Sequence, residues 1–489
     1  MLGNKVAAGA LWLVGARLTT KGLDLLAMLI VARILSPSDF GLVALAATVL
    51  VVLDSATDFS LANALIQMRD PQKSTYDTAF TLSVIRSLFL ALSLALVAFV
   101  WGEIYSDKRL VPMILVLSLS PIFKSLISPR MVHFSREMQF RQAFLLETTG
   151  KVASFIVSVS IAVTFKSYWA LIAGMIATPA ISMVISYFLA PYRPALGLED
   201  WRSIFAFSGW LTLSQAINQL NWQSDRFFIA GKLGTPILGQ YTVGSELASL
   251  PTQAPVMPMM QALYAGFAKV ARDSVALRSV YLKSQQVIMA LALPIGLTVS
   301  ALAEPIILMA IGPKWLEAAF VVKVLAPVFA IQMLTGPAHS AAMATGQTRA
   351  IFYRDLTAFV IRVPLILAGL YMFGFIGVVW ARVISGLAMI YLNLEVMRRV
   401  TGASIGQQVL APWRSICSSI VMYSVLLAIN WQFGQFAVSF LDRLVYVVLS
   451  AITGGLIYIA VHTSLWLLAN RPTGGETVLF GYLKKRKLI

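Results

Sequence analysis

The sequence predicts an all-α integral membrane protein of about fourteen transmembrane helices, grouped as two six-helix lobes followed by two further helices. Three observations carry this reading. Of 489 residues, 58% are hydrophobic and only 12% are charged, and the mean hydropathy is +0.80; a soluble domain is about a quarter charged. The apolar residues fall in blocks of about 20, the length a helix needs to cross a bilayer. A turn-rich link also recurs. Residues 31–43 follow the first block and residues 229–241 follow the seventh, and an offset of 198 aligns Ala32 with Ala230, Leu35 with Leu233 and Gly41 with Gly239. A soluble enzyme, a disordered chain and a coiled coil are excluded by the same numbers.

The expected spans are 6–31, 40–66, 76–101, 109–129, 142–165, 168–190, 204–231, 237–263, 283–310, 319–345, 350–372, 376–397, 412–431 and 443–468. The first block holds Lys5, Arg17, Lys21 and Asp24 and lacks a small-x-small cleavage site, so it reads as a span and not as a removed signal peptide. Charges punctuate the rest. Arg69 and Lys73 separate spans 2 and 3, Lys108 and Arg109 spans 3 and 4, and Arg130, Arg136 and Arg141 spans 4 and 5. Lys166 follows span 5, Arg193 and Arg202 follow span 6, and Lys232 follows span 7. Lys269, Arg272, Arg278 and Lys283 lie around the junction of spans 8 and 9, Lys314 and Lys323 around that of 9 and 10, and Arg349 and Arg354 around that of 10 and 11. Arg398 and Arg399 precede span 13 and Arg414 lies at its start, Arg443 opens span 14, and Arg471 leads into a basic tail, Lys484-Lys485-Arg486-Lys487. With the N-terminus taken as cytoplasmic, the larger share of these cations falls on the cytoplasmic side, which puts both termini there. The expected organisation is 1–200 for helices 1–6, 201–400 for helices 7–12, and 401–489 for helices 13–14 and the tail.

The net charge of +17 has the same origin, so nucleic acid is not an expected partner. Cys417 is the single cysteine, and His133, His339 and His462 are far apart in sequence, so no metal site or disulfide framework is expected. No cofactor is expected. A G-x-x-x-x-G-K-[ST] loop is absent; Gly239 to Gly244 comes nearest but is followed by Ser245-Glu246. No H-E-x-x-H or G-x-S-x-G site exists either, so the chain reads as a transporter and not an enzyme.

The polar residues inside the apolar blocks are the candidate site. Arg17, Lys21, Arg86, Lys124, Lys151, Arg226, Arg362 and Arg382 stand against Asp24, Asp54, Asp58, Glu147, Asp225, Glu246 and Glu304. Such groups cost a few kcal/mol each at the bilayer centre and normally face a bundle interior or a wet cavity. Arg17, Lys21 and Asp24 follow i, i+4, i+7 on one face of helix 1. Two cations so placed suit a phosphate or pyrophosphate, and Asp24 would hold Lys21 when the site is empty. The plainer alternative is structural pairing with neighbouring acids. Gln215, Asn218, Trp222 and Asp225 follow i, i+3, i+7, i+10 on helix 7, with Gln219 and Arg226 beside them. Amides, an indole and a carboxylate suit a sugar; interhelical hydrogen bonding is the alternative. Asp54 and Asp58, one turn apart, would carry protons or Na⁺ in a coupled transporter, or else pair with Arg86 or Lys124. Pro251, Pro255 and Pro258 on helix 8 each remove a backbone donor, which makes a gating bend or a static kink.

Four stretches carry a family likeness: ARILSPSDFGLVAL (32–45), NWQSDRFFIAGKLG (221–234), GPKWLEAAFVVKVLAP (312–327) and ATGQTRAIFYRDL (344–356). In this order and spacing the chain resembles the bacterial polysaccharide transporters, the Wzx-type flippases of the multidrug/oligosaccharidyl-lipid/polysaccharide superfamily. Fourteen helices are similar to its exopolysaccharide and colanic-acid branch. The resemblance implies two lobes around a central cavity in the bacterial inner membrane. It implies translocation of an undecaprenyl-pyrophosphate-linked oligosaccharide by alternating access. The pyrophosphate and cavity set would then be Arg17, Lys21, Asp24, Arg86, Lys124, Lys151 and Arg226. Implied partners are the lipid-linked oligosaccharide, membrane lipids, and a polymerase and chain-length-control proteins of the same pathway. A cation-coupled multidrug exporter and a membrane-embedded polysaccharide-assembly enzyme are the competing readings. Against the exporter, intramembrane cations slightly outnumber acids; against the enzyme, no large extramembrane loop is present.

Overall fold

The computed structural model describes residues 2–58, 65, 68, 71–137, 139–199, 201, 209–434 and 439–471, and all regular structure among them is helical. Arg69, Arg202 and the tail Lys484, Lys485, Arg486 and Lys487 lie outside the described residues. Each of the fourteen expected spans overlaps a helix; of the spans 40–66 and 204–231, residues 59–64, 66 and 204–208 lie outside the described residues. In chain order the helices are α1 (Leu2–Ile34), α2 (Pro37–Thr57), α3 (Lys73–Ile104), α4 (Leu110–Ser125, interrupted at Ser118), α5 (Phe140–Phe165) and α6 (Trp169–Leu189). A rod over Gly209–Val270 breaks at Gly234, giving α7 (209–233) and α8 (235–270). Then come α9 (Ser274–Ala301) and α10 (Pro313–Ala344). A second rod, Thr348–Thr401, breaks at Gly374 into α11 (348–373) and α12 (375–401). The chain continues through α13 (Trp413–Phe433) and α14 (Phe440–Leu468).

Among the described residues, nine helices are long and apolar enough to cross a membrane, the α11–α12 rod counting as one. The rest are α4, which is short, and α1, α7 and α8, which hold the charges and prolines singled out above.

Local chemistry explains the breaks. Ser36 caps α2: its hydroxyl accepts from the Asp39 amide at 3.2 Å, and the Asp39 carboxylate accepts from the Ser36 amide at 3.0 Å. Pro37 fits the first turn because its missing N–H is an orphan there. The equivalent break before α8 uses Gly234 at φ 81°, ψ 173°, a conformation closed to L side chains. It is this glycine, and not the proline triplet, that breaks the rod. Pro251, Pro255 and Pro258 lie within α8, where the backbone keeps helical dihedrals.

Contacts group the chain into two compact units, Met1–Thr242 and Val243–Ile489. In the first, α1 packs on α5 and α5 on α6. The α5–α6 seam is close because Gly150 and Gly174 face Ser182 and Ser158, the small-residue packing that membrane helices use in place of a hydrophobic drive. The start of α8 joins this unit because Gly239 lies against the α1–α2 link at Pro37. In the second unit α9 packs on α10 and α13, and Gly296 meets Ala330 at the α9–α10 seam. The pair α13–α14 pack on each other, and Tyr458 of α14 donates to the Ala290 carbonyl of α9 at 3.0 Å.

Candidate functional site

The charges of the first unit fall into two clusters. Asp24 on α1 accepts from Lys151 on α5 at 2.8 Å and lies 3.9 Å from Lys21. Its main partner is therefore an interhelical lysine, and the expected Lys21–Asp24 pairing is the longer of the two. One turn earlier, Arg17 is half-buried. Asp54 on α2 accepts from Arg86 on α3 and, at 3.1 Å, from Lys124 on α4. Arg86 also donates to the Asp54 carbonyl at 2.6 Å and to Thr57 at 3.3 Å. Of the two readings of Asp54, the geometry therefore displays the ion-paired one. Asp58 caps the C-terminal end of α2, its amide donating to the Ser55 carbonyl.

A cavity of about 540 Å³ opens between α1, α4, α5 and α6. Asp24, Lys124 and Lys151 line it, with the hydroxyls of Ser120, Ser154, Ser158, Thr178 and Ser182. Lys124 belongs to this cavity and to the Asp54 pair at once. Around the two carboxylates stand four cationic groups, Lys21, Lys151, Arg86 and Lys124. Of these, only Lys124 and Lys151 line the cavity, where they stand against the single lining carboxylate Asp24 among the described residues. An uncompensated cation there is costly, so the arrangement favours an anion. Ser154 and Ser182 donate to the Gly174 and Leu146 carbonyls at 2.7 and 3.5 Å, and the other hydroxyls add neutral donors able to reach phosphate or sugar oxygens.

The structure does not bring every expected residue to this cavity. Arg17, Lys21, Arg86 and Arg226 are outside its lining. On α7, Trp222 is 42% exposed while Asp225 is 1% exposed. Asp225 accepts from the Tyr241 hydroxyl of α8 and from Ser224, so it ties α7 to α8 and turns away from solvent. Gln215, Asn218 and Arg226 are half-buried. The polar face of α7 is therefore split: its indole is accessible and its carboxylate is committed.

Sequence reasoning missed two things. One is the hydroxyl row of α5: Lys151, Ser154 and Ser158 stand at i, i+3, i+7, a periodicity that was there to be read. The other is Arg354, expected in a connection. It is 8% exposed, lies on α11, donates to Asp355 at 2.7 Å and to the Asn393 side chain of α12 at 2.9 Å. An Arg-Asp dipeptide at the edge of an apolar block looks like a loop, and only the packing of α12 shows it to be an interhelical tie. Among the described residues no cluster of His, Cys, Asp or Glu is suited to a metal ion.

Residues 30–320 match the family described as Polysaccharide biosynthesis protein. The lipopolysaccharide biosynthesis protein WzxC of Escherichia coli K12 is 25% identical over 444 residues, 88% of this chain and 89% of that protein. The succinoglycan biosynthesis transport protein ExoT of Rhizobium meliloti is 25% identical over 306 residues, 62% of each chain. Among solved structures, the lipid II flippase MurJ in an inward closed conformation has a TM-score of 0.70 at 13% identity, covering 95% of this chain and 100% of that one. An inward-facing multidrug resistance MATE family transporter has a TM-score of 0.62 at 15% identity, covering 80% and 98%. Both are likenesses of fold.

Proposed function

We propose, for a chain that belongs to the polysaccharide biosynthesis protein family, that it is a flippase: it carries a polyprenyl-pyrophosphate-linked oligosaccharide across the bacterial inner membrane for exopolysaccharide or lipopolysaccharide assembly. Transport, not bond making, is its activity. The observation that carries this reading is the excess of cations around the hydroxyl-lined cavity between α1, α4, α5 and α6. A pyrophosphate would displace the carboxylates from Lys151 and Lys124 and take both ammonium groups, with Arg17 and Lys21 as further cations on the same face of α1. The exposed indole of Trp222 offers an apolar platform for a pyranose ring. The two termini face the cytoplasm, and the cavity opens alternately to the two leaflets. The polymerase and chain-length-control proteins of the same pathway are its natural neighbours.

A cation-coupled exporter would need Asp54 or Asp58 free to bind its ion. Asp54 sits between Arg86 and Lys124, which disfavours that role for Asp54. Reconstituted in vesicles with a fluorescent undecaprenyl-pyrophosphate oligosaccharide, the protein should expose the sugar to an outside glycosidase faster than protein-free vesicles do. A Lys124→Ala, Lys151→Ala variant should lose that gain. Equal rates with and without protein, for several oligosaccharides, would overturn the reading.

A further inference from the structure

Three connections of the first unit meet where none of the charge clusters above lies. The chain leaving α2 brings Pro71 and Lys73, the α4–α5 connection brings Arg130, His133, Arg136 and Glu137, and the chain leaving α6 brings Pro191, Tyr192 and Arg193. In an alternating bundle the connections 2–3, 4–5 and 6–7 share one membrane face. Here they enclose a cavity of about 770 Å³.

The cavity has a built floor. Asp77, 8% exposed, accepts from the Tyr192 hydroxyl at 2.7 Å and from the Ala195 amide at 2.9 Å, which fixes the chain after α6 against α3. Arg136 donates to the Leu65 and Met68 carbonyls at 2.6 and 2.8 Å, holding the α4–α5 connection to the chain after α2. Asp77 is thus spent on hydrogen bonds behind the wall, and among the described residues Glu137 is the one carboxylate in the lining. Lys73, Arg130, Arg136 and Arg193 supply four fixed positive charges, Arg136 being the one tied to backbone carbonyls. Lys73 and Arg193 are exposed and make no ion pair among the described residues. The bias of Lys and Arg to one membrane face explains cations in these connections. It does not explain why three separate connections are tied together to present them to one cavity.

We propose that this cavity binds a phosphate-bearing headgroup at the membrane surface. Guanidinium forks and ammonium groups converging at the bilayer edge match phosphate oxygens. The phosphate has two sources: an acidic glycerophospholipid of the bilayer, or the diphosphate of a polyprenyl lipid. The proposal does not depend on transport, since it concerns binding at a surface site.

The test is equilibrium binding by the full-length protein in a neutral detergent, with short-chain phosphatidylglycerol and inorganic pyrophosphate as probes. Lys73→Gln, Arg193→Gln should weaken binding about tenfold or more. Lys269→Gln, Arg272→Gln, which removes equal charge elsewhere, should leave it within about twofold. Glu137→Gln should tighten binding, a gain that misfolding cannot produce. Phosphatidylglycerol bound and displaced by pyrophosphate identifies the diphosphate as a competent ligand; phosphatidylglycerol bound and not displaced identifies the phospholipid. Wild-type binding by the Lys73, Arg193 variant, equal loss in the Lys269, Arg272 variant, no tightening with Glu137→Gln, or no binding of either probe would each overturn the proposal. None of these readouts depends on export.

Discussion

Gly41 and Gly239 lie against each other, and the contact is reciprocal. A Cβ on Gly41 would run into the Thr235 carbonyl and stand 2.9 Å from the Gly239 amide nitrogen; a Cβ on Gly239 would run into the Pro37 carbonyl and stand 3.0 Å from the Gly41 amide nitrogen. The sequence offset of 198 that pairs Gly41 with Gly239 also pairs Pro37 with Thr235. Equivalent positions of the two links thus touch in a self-complementary way, and Ser38 and Thr235 place their hydroxyls 3.0 Å apart at the same spot. A backbone-to-backbone approach this close admits no side chain.

Gly41→Ala and Gly239→Ala should therefore each destabilise the protein by about 3 kcal/mol or more, the upper end of overpacking costs, because the obstacle is backbone and cannot rotate away. Gly22→Ala, where nothing lies within 4 Å, should be neutral. The thermal unfolding midpoint in detergent reads both. A neutral Gly41→Ala would show that the links do not touch.

If alternating access opens this contact, then locking it should stop transport. Ser38→Cys with Thr235→Cys, in a Cys417→Ser background, should crosslink on mild oxidation and abolish export, and reduction should restore it. Efficient crosslinking with continued export would place the moving seam elsewhere.

The Asp24–Lys151 bridge sharpens the expectation for α1. Arg17→Ala, Lys21→Ala and Lys151→Ala should each strongly impair export while the protein still inserts. Asp24→Asn should do less harm if Asp24 only parks Lys151 between cycles. Loss of all three alanine variants from the membrane, with rescue by Asp24→Asn in the Lys151→Ala case, would mean that the bridge is structural only.

Asp54 joins three helices through Arg86 and Lys124. Asp54→Asn leaves two cations without their carboxylate and should cost about 1–3 kcal/mol, less than a fully buried pair because Lys124 is 55% exposed. Adding Arg86→Gln should recover part of the loss. A double variant less stable than Asp54→Asn alone would remove the pairing explanation.

On the α3–α4 connection, hydrogen bonds from the Arg109 guanidinium hold the Asp107 carboxyl below its ordinary value. A depressed carboxylate stabilises the fold above its unfolded pKa, about 4, and that stabilisation fades as pH falls through the lower folded value. The pair is half-exposed, so the effect is at most about 1 kcal/mol. Asp107→Asn should lower the unfolding midpoint near neutral pH slightly, and the gap to the natural chain should close in acid. A gap that widens in acid would reverse the sign of this argument.

Single cysteines replacing Arg193 and Arg272 should be shielded from an impermeant thiol reagent in intact cells if the connections they lie on are cytoplasmic. Labelling of both from outside would invert the topology.

The sequence determined the number and place of the helices, because a bilayer demands long apolar blocks and tolerates little else between polar links. It also marked which blocks carry charge, Arg17, Lys21, Asp24, Asp54 and Arg86, groups that are costly inside hydrocarbon. The offset of 198 pairs Gly41 with Gly239 in sequence, but not in space, since an offset says nothing about distance; their contact came from the fold. Which carboxylate each cation meets was decided by tertiary structure. Asp24 goes to Lys151 and not chiefly to Lys21, because α5 packs on α1 and delivers an ammonium more directly than the same helix can. Asp225, spaced to share a face with Trp222, is buried instead, because α8 folds back and Tyr241 claims it. The basic cavity of Lys73, Arg130 and Arg193 was invisible for the same reason. Its residues are remote in the chain, and tertiary hydrogen bonds, those of Asp77 and Arg136 among them, bring their backbones together.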